Sequence, residues 1–295
     1  MRAPAARDRP GGGPSAEVRE RLRTRFGETA ARALPPGYQR LGSVLLLRLP
    51  ESLRPAFPFI GEAFREVLGV EAVLRRSGPV AGEFRAPGVE TIAGGPTETI
   101  VVEHGVRYRF DAARILFARG NRTERHRIGR LVRPGETVVD LFAGIGYFAL
   151  PALVTGRAAQ VHAVEKNPVA YRYLLENLRL NRVDGRARPW LGDNRDVVLP
   201  KGRADRVVLG YLPDARPWVD RALRLLRPDG GALHVHRVVE VRAGEAGAIR
   251  GVRAAIDRAG GSLEEIGARE VKPYGPGRTH WVVDARARPG PNHRS

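Results

Sequence analysis

The feature that most constrains this chain lies between about residues 135 and 287, where short β-branched runs alternate with helical segments. Such alternation marks a parallel sheet with crossover helices on both faces. "ETVVDLF", "QVHAVE", "ARPWLGD", "DRVVLGYL" and "GALHVHRVV" read as five successive strands, and "EEIGAREV" and "HWVVDARA" as a closing antiparallel pair. "KNPVAYRYLLENLRLN" reads as one of the intervening helices, with Asn167 at its N-cap, Pro168 at the first helical position, and Leu174, Leu175 and Leu178 facing the sheet. Another helix, over about 216–227, also opens on a proline, Pro217. The expected class is α/β: a doubly wound, Rossmann-type sheet with antiparallel closing strands.

Ahead of this half the pattern is different. A Gly/Pro-rich start leads into a short amphipathic helix near 15–33 and then a breaker, Pro35-Pro36-Gly37. "QRLGSVLLLRLP" reads as a strand and "AFPFIGEAFREVLG" as a helix begun at Pro58, followed by short strands and turns. The expected organisation is a flexible basic extension with a short helix at 1–36, a small α+β domain at 37–112, a ligand-binding catalytic domain at 113–288 and a disordered tail at 289–295.

Composition removes several function classes. The 295 residues contain no cysteine, which excludes disulfides, thiolate nucleophiles and Cys-ligated metals. The seven histidines show no metal-ligand spacing, so no metal is expected. No window reaches the roughly 18 apolar residues of a membrane span, and even "SVLLLRLP" is interrupted by Arg48. The arginine-rich start lacks the apolar core of a secretory signal, so a cytoplasmic protein is expected. The net charge of +18 attracts polyanions, and residues 105–133 hold nine arginines against Asp111 and Glu124. A nucleic acid is the partner this charge favours over a merely solvated surface.

The candidate site lies where successive strands end. "DLFAGIGYF" at 140–148 closes the first strand with glycines that let backbone approach a ligand, and Phe142 and Gly144 stand in that turn. Glu165 ends the second strand, where a carboxylate can accept ribose hydroxyls, and Asp193-Asn194 end the third, where an adenine amino group would sit. A tight turn, a helix N-terminal charge and an Asx turn explain each feature separately, but their convergence on one crevice favours a nucleoside cofactor. Tyr147 and Phe148 would crowd a pyrophosphate, so S-adenosylmethionine fits better than a dinucleotide. The fourth strand stops at Gly210-Tyr211-Leu212-Pro213, a loop with no acid or base.

"FARGNRTERHRI", "GETVVDLFAGIGYFALP", "AVEKNPVAYRYLLENLRLNRV", "GDNRDV", "DRVVLGYLP" and "VKPYGPGRTHWVVD" together resemble the tRNA wybutosine-synthesis aminocarboxypropyltransferases and their sister family, the tRNA guanine-N1 methyltransferases. The resemblance spans about 37–287. It implies a class I methyltransferase-like fold, S-adenosylmethionine as cofactor, and a purine 3′ to the anticodon of tRNA as target, with the N-terminal module positioning the tRNA. The methyltransferase sister ends its fourth strand in Asn-Leu-Pro or Asn-Pro-Pro. Gly210-Tyr211 resembles the aminocarboxypropyl branch, as does "FARGN", although Ala118 replaces a usual serine.

The implied site residues are Gly210, Tyr211 and Pro213 for catalysis, with Ala118, Arg125, Phe142, Gly144, Glu165, Asp193 and Asn194 for the cofactor. Gly210 is expected to make room for the methionine chain, Tyr211 to stack the base and Arg125 to neutralise a carboxylate or phosphate. Glu136 matches a glutamate implicated in proton handling in the sister family, with a purely structural role as the alternative; Tyr274, Pro276 and His280 are read at the pocket mouth, although a turn joining two strands explains the proline and glycines equally well. The implied reaction is transfer of the 3-amino-3-carboxypropyl group to C7 of 4-demethylwyosine in tRNA(Phe) by a monomer. The alternatives are guanine-N1 methylation at the same nucleotide and a tRNA-binding module without activity.

Overall fold

The computed structural model describes residues 13–293. In chain order the elements are α1 (Pro14–Ala33), β1 (Gln39–Leu41), β2 (Val44–Leu47), α2 (Phe57–Leu68), β3 (Ala72–Arg76), β4 (Val89–Gly94), β5 (Glu98–Glu103) and β6 (Val106–Asp111). They continue with α3 (Arg122–Leu131), β7 (Thr137–Asp140), α4 (Ala149–Val154), β8 (Gln160–Glu165), α5 (Pro168–Leu180), β9 (Ala187–Leu191), β10 (Arg206–Leu209), α6 (Val219–Leu225), β11 (Gly231–Glu240), α7 (Gly244–Arg258), β12 (Ser262–Gly275) and β13 (Arg278–Arg288). The chain divides into two compact units. One runs up to Val101 and takes in Arg109–Phe117, and the other comprises Val102–Tyr108 and the chain from Ala118 onward.

In the first unit β1 to β4 form one sheet in sequence order, with β2 and β3 parallel across the α2 connection. Val18 and Leu22 of α1 and Leu34 just after it pack with Leu45, Phe57, Ile60 and Phe64. The helix expected in a flexible extension is therefore part of this core, because its apolar stripe has the sheet-packed α2 to bury against. The chain before residue 13 lies outside the described residues.

The second unit carries the seven-stranded sheet β12-β13-β11-β10-β7-β8-β9. β7 to β11 run parallel and β12 and β13 antiparallel, as the alternation predicts. β10 is buried along its whole length, which is why it reads as a continuous apolar run. The strand order reverses between β7 and β10, opening a crevice at their carboxyl ends. Asn167 caps α5 by accepting the Val169 amide at 2.9 Å. Ala170, Tyr173, Leu174, Asn177 and Leu178 are its buried residues, while Leu175 is half-buried. At the chain's end His293 is buried and bonds Asp220 at 2.9 Å; residues 294–295 of the tail expected at 289–295 lie outside the described residues.

The amino ends of the central strands are held by a chain of charges. Glu136 accepts from Arg206 Nε at 2.8 Å, and Arg206 Nη1 reaches His234 Nε2 at 2.6 Å. His234 Nδ1 meets Asp284 at 2.5 Å, and Asp284 also pairs with Arg127, which binds Glu124. Arginine can only donate, so His234 Nε2 is the acceptor and the proton sits on Nδ1, pointing at Asp284. Burial depresses the pKa of His234 and so keeps it neutral against the pull of Asp284. Burial pushes the Asp284 carboxyl up, but His234 and Arg127 hold it well below the usual range. Glu136, for which proton handling was one reading, lies at the opposite end of β7 from the crevice and is spent on this pairing. Arg206→Met would strand Glu136 and leave His234 without its donor. We expect a loss on the order of 3 kcal/mol of stability, read from the denaturant midpoint; a change below about 1 kcal/mol would show that the chain of charges carries little.

Candidate functional site

The crevice is organised by two carboxylates at adjacent strand ends. Asp140, the last residue of β7, is fully buried and accepts the Phe142 amide at 3.2 Å. Burial pushes its carboxyl up to about 7, with Glu165 adding to the rise and the amides of Phe142, Ala149 and Phe148 opposing it. Glu165, at the end of β8, takes the Gly144 amide on Oε2 and the Asn167 amide on Oε1, each at 2.7 Å. Burial raises its pKa against those same amides. One carboxylate thus ties the glycine turn after β7 to the start of α5. Gly144 has φ +57°, and a Cβ there would come within 2.5 Å of the Tyr147 ring, so both backbone and space demand glycine.

The end of β9 is polar in two ways. Asp193 is bound by the Arg195 side chain, at 2.6 and 2.9 Å, and by Lys166 Nζ at 2.9 Å. Those bonds, Arg195's above all, hold its carboxyl well below the usual range. Asn194 is buried, donates to Leu141 O at 3.1 Å and has no hydrogen-bond partner for its Oδ1 among the described residues. A buried acceptor left open in this way is suited to a ligand's N–H.

The loop after β10 carries the aromatic part of the crevice. Phe142, Tyr211 and Trp218 form a triangle with ring centroids 5.0–5.1 Å apart. The loop is laid along β11 by Val238 N donating to Pro213 O at 2.7 Å and Ala215 N to His236 O at 3.1 Å. Gly210 does not open onto free space. A Cβ there would lie 2.8 Å from Phe148 Cε2, and Phe148 is buried with its ring 5.0 Å from His236. The space that glycine leaves is taken by Phe148, which corrects the expectation that it serves a ligand chain directly.

Arg125 also differs from its expected role. It is buried, with Nε and Nη2 both on Glu103 Oε2 at 2.8 and 2.6 Å, Nη1 on Ala118 O at 3.2 Å, and its guanidinium over the rings of Tyr147 and Tyr108. A buried cation with a buried partner is held by that partner, so in this structure Arg125 braces the Ala118 loop. His280, expected at the pocket mouth, is fully buried and bonded to His236 Nδ1 at 3.0 Å, and burial brings its pKa down to about 3. Pro276 is exposed in the β12–β13 turn and Tyr274 half-buried beside it.

Sequence reasoning missed Asp140, Trp218 and Glu103. Asp140 and Trp218 carried a signal, one as the acid closing the first strand and the other as an aromatic just past the Gly210–Pro213 loop. Glu103 had none, since its partner is 22 residues away. Among the described residues, no cluster of three or more His, Cys, Asp or Glu is placed to hold a metal, and no helix is long and apolar enough to cross a membrane.

Comparison with known proteins gives a consistent result. The sequence model of the TRM5/TYW2 methyltransferase domain matches residues 99–262, and that of the TYW2 N-terminal domain matches 18–97. A tRNA(Phe) (4-demethylwyosine(37)-C(7)) aminocarboxypropyltransferase of Pyrococcus horikoshii is 37% identical over 91% of this chain and 95% of its own length. A Methanocaldococcus jannaschii protein of the same name is 36% identical over 84% and 97%. The crystal structure of P. horikoshii TYW2 in complex with MeSAdo superposes with a TM-score of 0.83 and 34% identity, covering 92% of this chain and 98% of that one.

The packing of Phe148 on Gly210 makes a stability prediction independent of any ligand. Gly210→Ala should cost about 1–3 kcal/mol by overpacking, and adding Phe148→Leu should recover part of that loss. Thermal unfolding of the two single variants and the double checks it. Strictly additive losses would mean that Phe148 is not what the glycine accommodates.

Proposed function

Because this chain belongs to the TRM5/TYW2 methyltransferase-domain family, we propose that it transfers the 3-amino-3-carboxypropyl group of S-adenosylmethionine to C7 of 4-demethylwyosine, 3′ to the anticodon of tRNA(Phe). The observation that carries this is the near full-length match to two archaeal aminocarboxypropyltransferases. It is joined by Gly210-Tyr211, with no side-chain amide, at the end of β10. The protein acts in the cytoplasm as a monomer, and no metal enters its chemistry.

The residues at the strand ends suit the nucleoside half of the cofactor. Asn194 Oδ1 is a buried acceptor with no donor among the described residues, which an adenine amino group supplies. Glu165 binds one amide on each oxygen, leaving lone pairs for ribose hydroxyls. Asp193 is the second polar group at the adenine edge, and Gly144 brings backbone close. Ala118, held through its carbonyl by Arg125, lines the loop on the other side.

S-adenosylmethionine supplies an electrophilic carbon on a sulfonium: the bond from C7 to Cγ forms as the Cγ–S bond breaks, its electron pair staying on the sulfur of methylthioadenosine, and the C7 proton is then lost to the surrounding solvent. The chain's part is orientation. Three carbons on that sulfur are electrophilic, so the product follows from which one faces the base at about 3–3.5 Å. Phe148, seated on Gly210, sets an apolar wall at the end of β10, and an asparagine at 210 would collide with it. Tyr211, Phe142 and Trp218 offer ring faces to a flat tricyclic base and keep water from it. Pro213 fixes the direction in which the loop leaves the strand.

Two experiments test the reading. The protein incubated with labelled cofactor and tRNA carrying the tricyclic base should release methylthioadenosine. Release of S-adenosylhomocysteine would instead mean guanine-N1 methylation, and neither by-product, with cofactor bound, a binding module. For the RNA, Arg119, in the turn before α3, and Arg122, its first residue, are exposed. Replacing both with alanine should flatten the dependence of log Kd on log salt by about one unit or more while cofactor affinity stays level. An unaltered slope would show that these arginines are only solvated charges.

A further inference from the structure

Two histidines that the reaction does not use stand face to face beside the Ala118 loop. His104 and His126 have ring centroids 3.8 Å apart and planes 14° from parallel. His104 is exposed, and His126 is half-buried with no hydrogen-bond partner for its Nδ1 among the described residues. Each adjoins in sequence one member of the buried Glu103–Arg125 pair. That pair pins the tip of the β5–β6 hairpin to α3 and thereby sets the stack.

The turn is costly for a side chain of this kind. His104 and Gly105 are the two residues between β5 and β6, with φ +49° and +84°, the signs of a turn that asparagine or glycine fills most easily. A ring is carried at this tip although the turn does not ask for one. Burial, His126 and Arg122 all lower the pKa of His104, so at neutral pH the exposed ring is an uncharged aromatic face. Arg122 and His126 share a face of α3, four residues apart, and Arg107 and Arg119 are exposed nearby in the chain. The neighbouring acids are already spent, Glu103 on Arg125 and Glu124 on Arg127. An uncharged ring face beside exposed guanidinium groups is the combination that binds single-stranded nucleic acid, the base on the ring and the phosphates on the cations.

We propose that the stacked imidazoles of His104 and His126 form a platform on which an unpaired base of the RNA substrate stacks, with Arg122 taking an adjacent phosphate. This rests on tRNA being the substrate. It adds a contact that is distinct from the phosphate attraction of the arginine segment and that acts through a ring face rather than through charge.

The test uses the full chain and a tRNA(Phe) transcript, with binding followed across a salt series. His104→Asn keeps a residue that the left-handed turn accepts and removes the broad ring. It should weaken tRNA binding about tenfold, with the salt slope, cofactor affinity and thermal midpoint unchanged. His126→Leu, which removes the lower ring from the middle of a helix, should weaken binding in the same way, and it decides the matter if His104→Asn does not fold. Unchanged tRNA affinity in a folded variant would overturn the platform alone. So would a flatter salt slope, since the imidazoles would then be acting as charges. Failure of the wild-type protein to bind tRNA at all would overturn the substrate reading, and the platform with it.

Discussion

Of the two carboxylates at the crevice, Glu165 ties its parts together. Glu165 holds the amide of Gly144 with one oxygen and that of Asn167 with the other, so the turn after β7 and the entry to α5 are fixed against each other at the switch point of the sheet. Burial makes the charged form expensive, and its raised pKa is the measure of that cost. The cost is tolerated because the two amides have no other acceptor at these positions. With Asp140 buried beside it and itself pushed up to about 7, the strand ends concentrate acceptors where a ligand rich in donors, such as an adenosine, is satisfied.

The two ends of the sheet divide stability from chemistry. At the amino ends a chain of matched charges runs from Glu136 through Arg206, His234 and Asp284 to Arg127. At the carboxyl ends the matching is incomplete, with Asn194 Oδ1 open and aromatic faces gathered around Tyr211. A fully satisfied network rigidifies the scaffold, and the unsatisfied groups are left to the site. Glu136 illustrates the rule, since a glutamate just before the first strand is read correctly only once its partner on β10 is known.

What the sequence made legible follows from locality. The α/β alternation, the cap at Asn167 and the glycine turn are written in neighbouring residues, so periodicity and spacing reveal them. The placement of Glu165, Asn194 and Tyr211 at or just past strand ends was legible because strand ends meet at one edge in any doubly wound sheet. Arg125 was not, because Glu103 lies 22 residues upstream and nothing in a basic stretch says which arginine is buried. Gly210 was half legible. The missing side chain is visible in the sequence, but that Phe148 occupies the space is a tertiary fact. The place of α1 in the first core was hidden in the same way, since a helix of mixed composition reads as an extension until Phe57 and Ile60 are seen against it.

Under the proposed function, that occupancy bears on how the end of β10 would select a product. Had Gly210 faced an empty volume, the glycine itself would set the pocket, and any larger residue would simply reduce it. With Phe148 seated there and its ring against His236, the wall is a packed unit of three residues on three elements, and its position depends on β11 as much as on the loop. An asparagine at 210 would then have to displace a buried phenyl ring before its amide could reach a base, so the sister chemistry is separated from this one by repacking as well as by one side chain. Selectivity of this kind needs no acid or base on the loop. Under the proposed function it is set by the direction in which that wall lets the cofactor's chains lie, and Gly210-Tyr211-Leu212-Pro213 brings no carboxylate, imidazole or amine to the site.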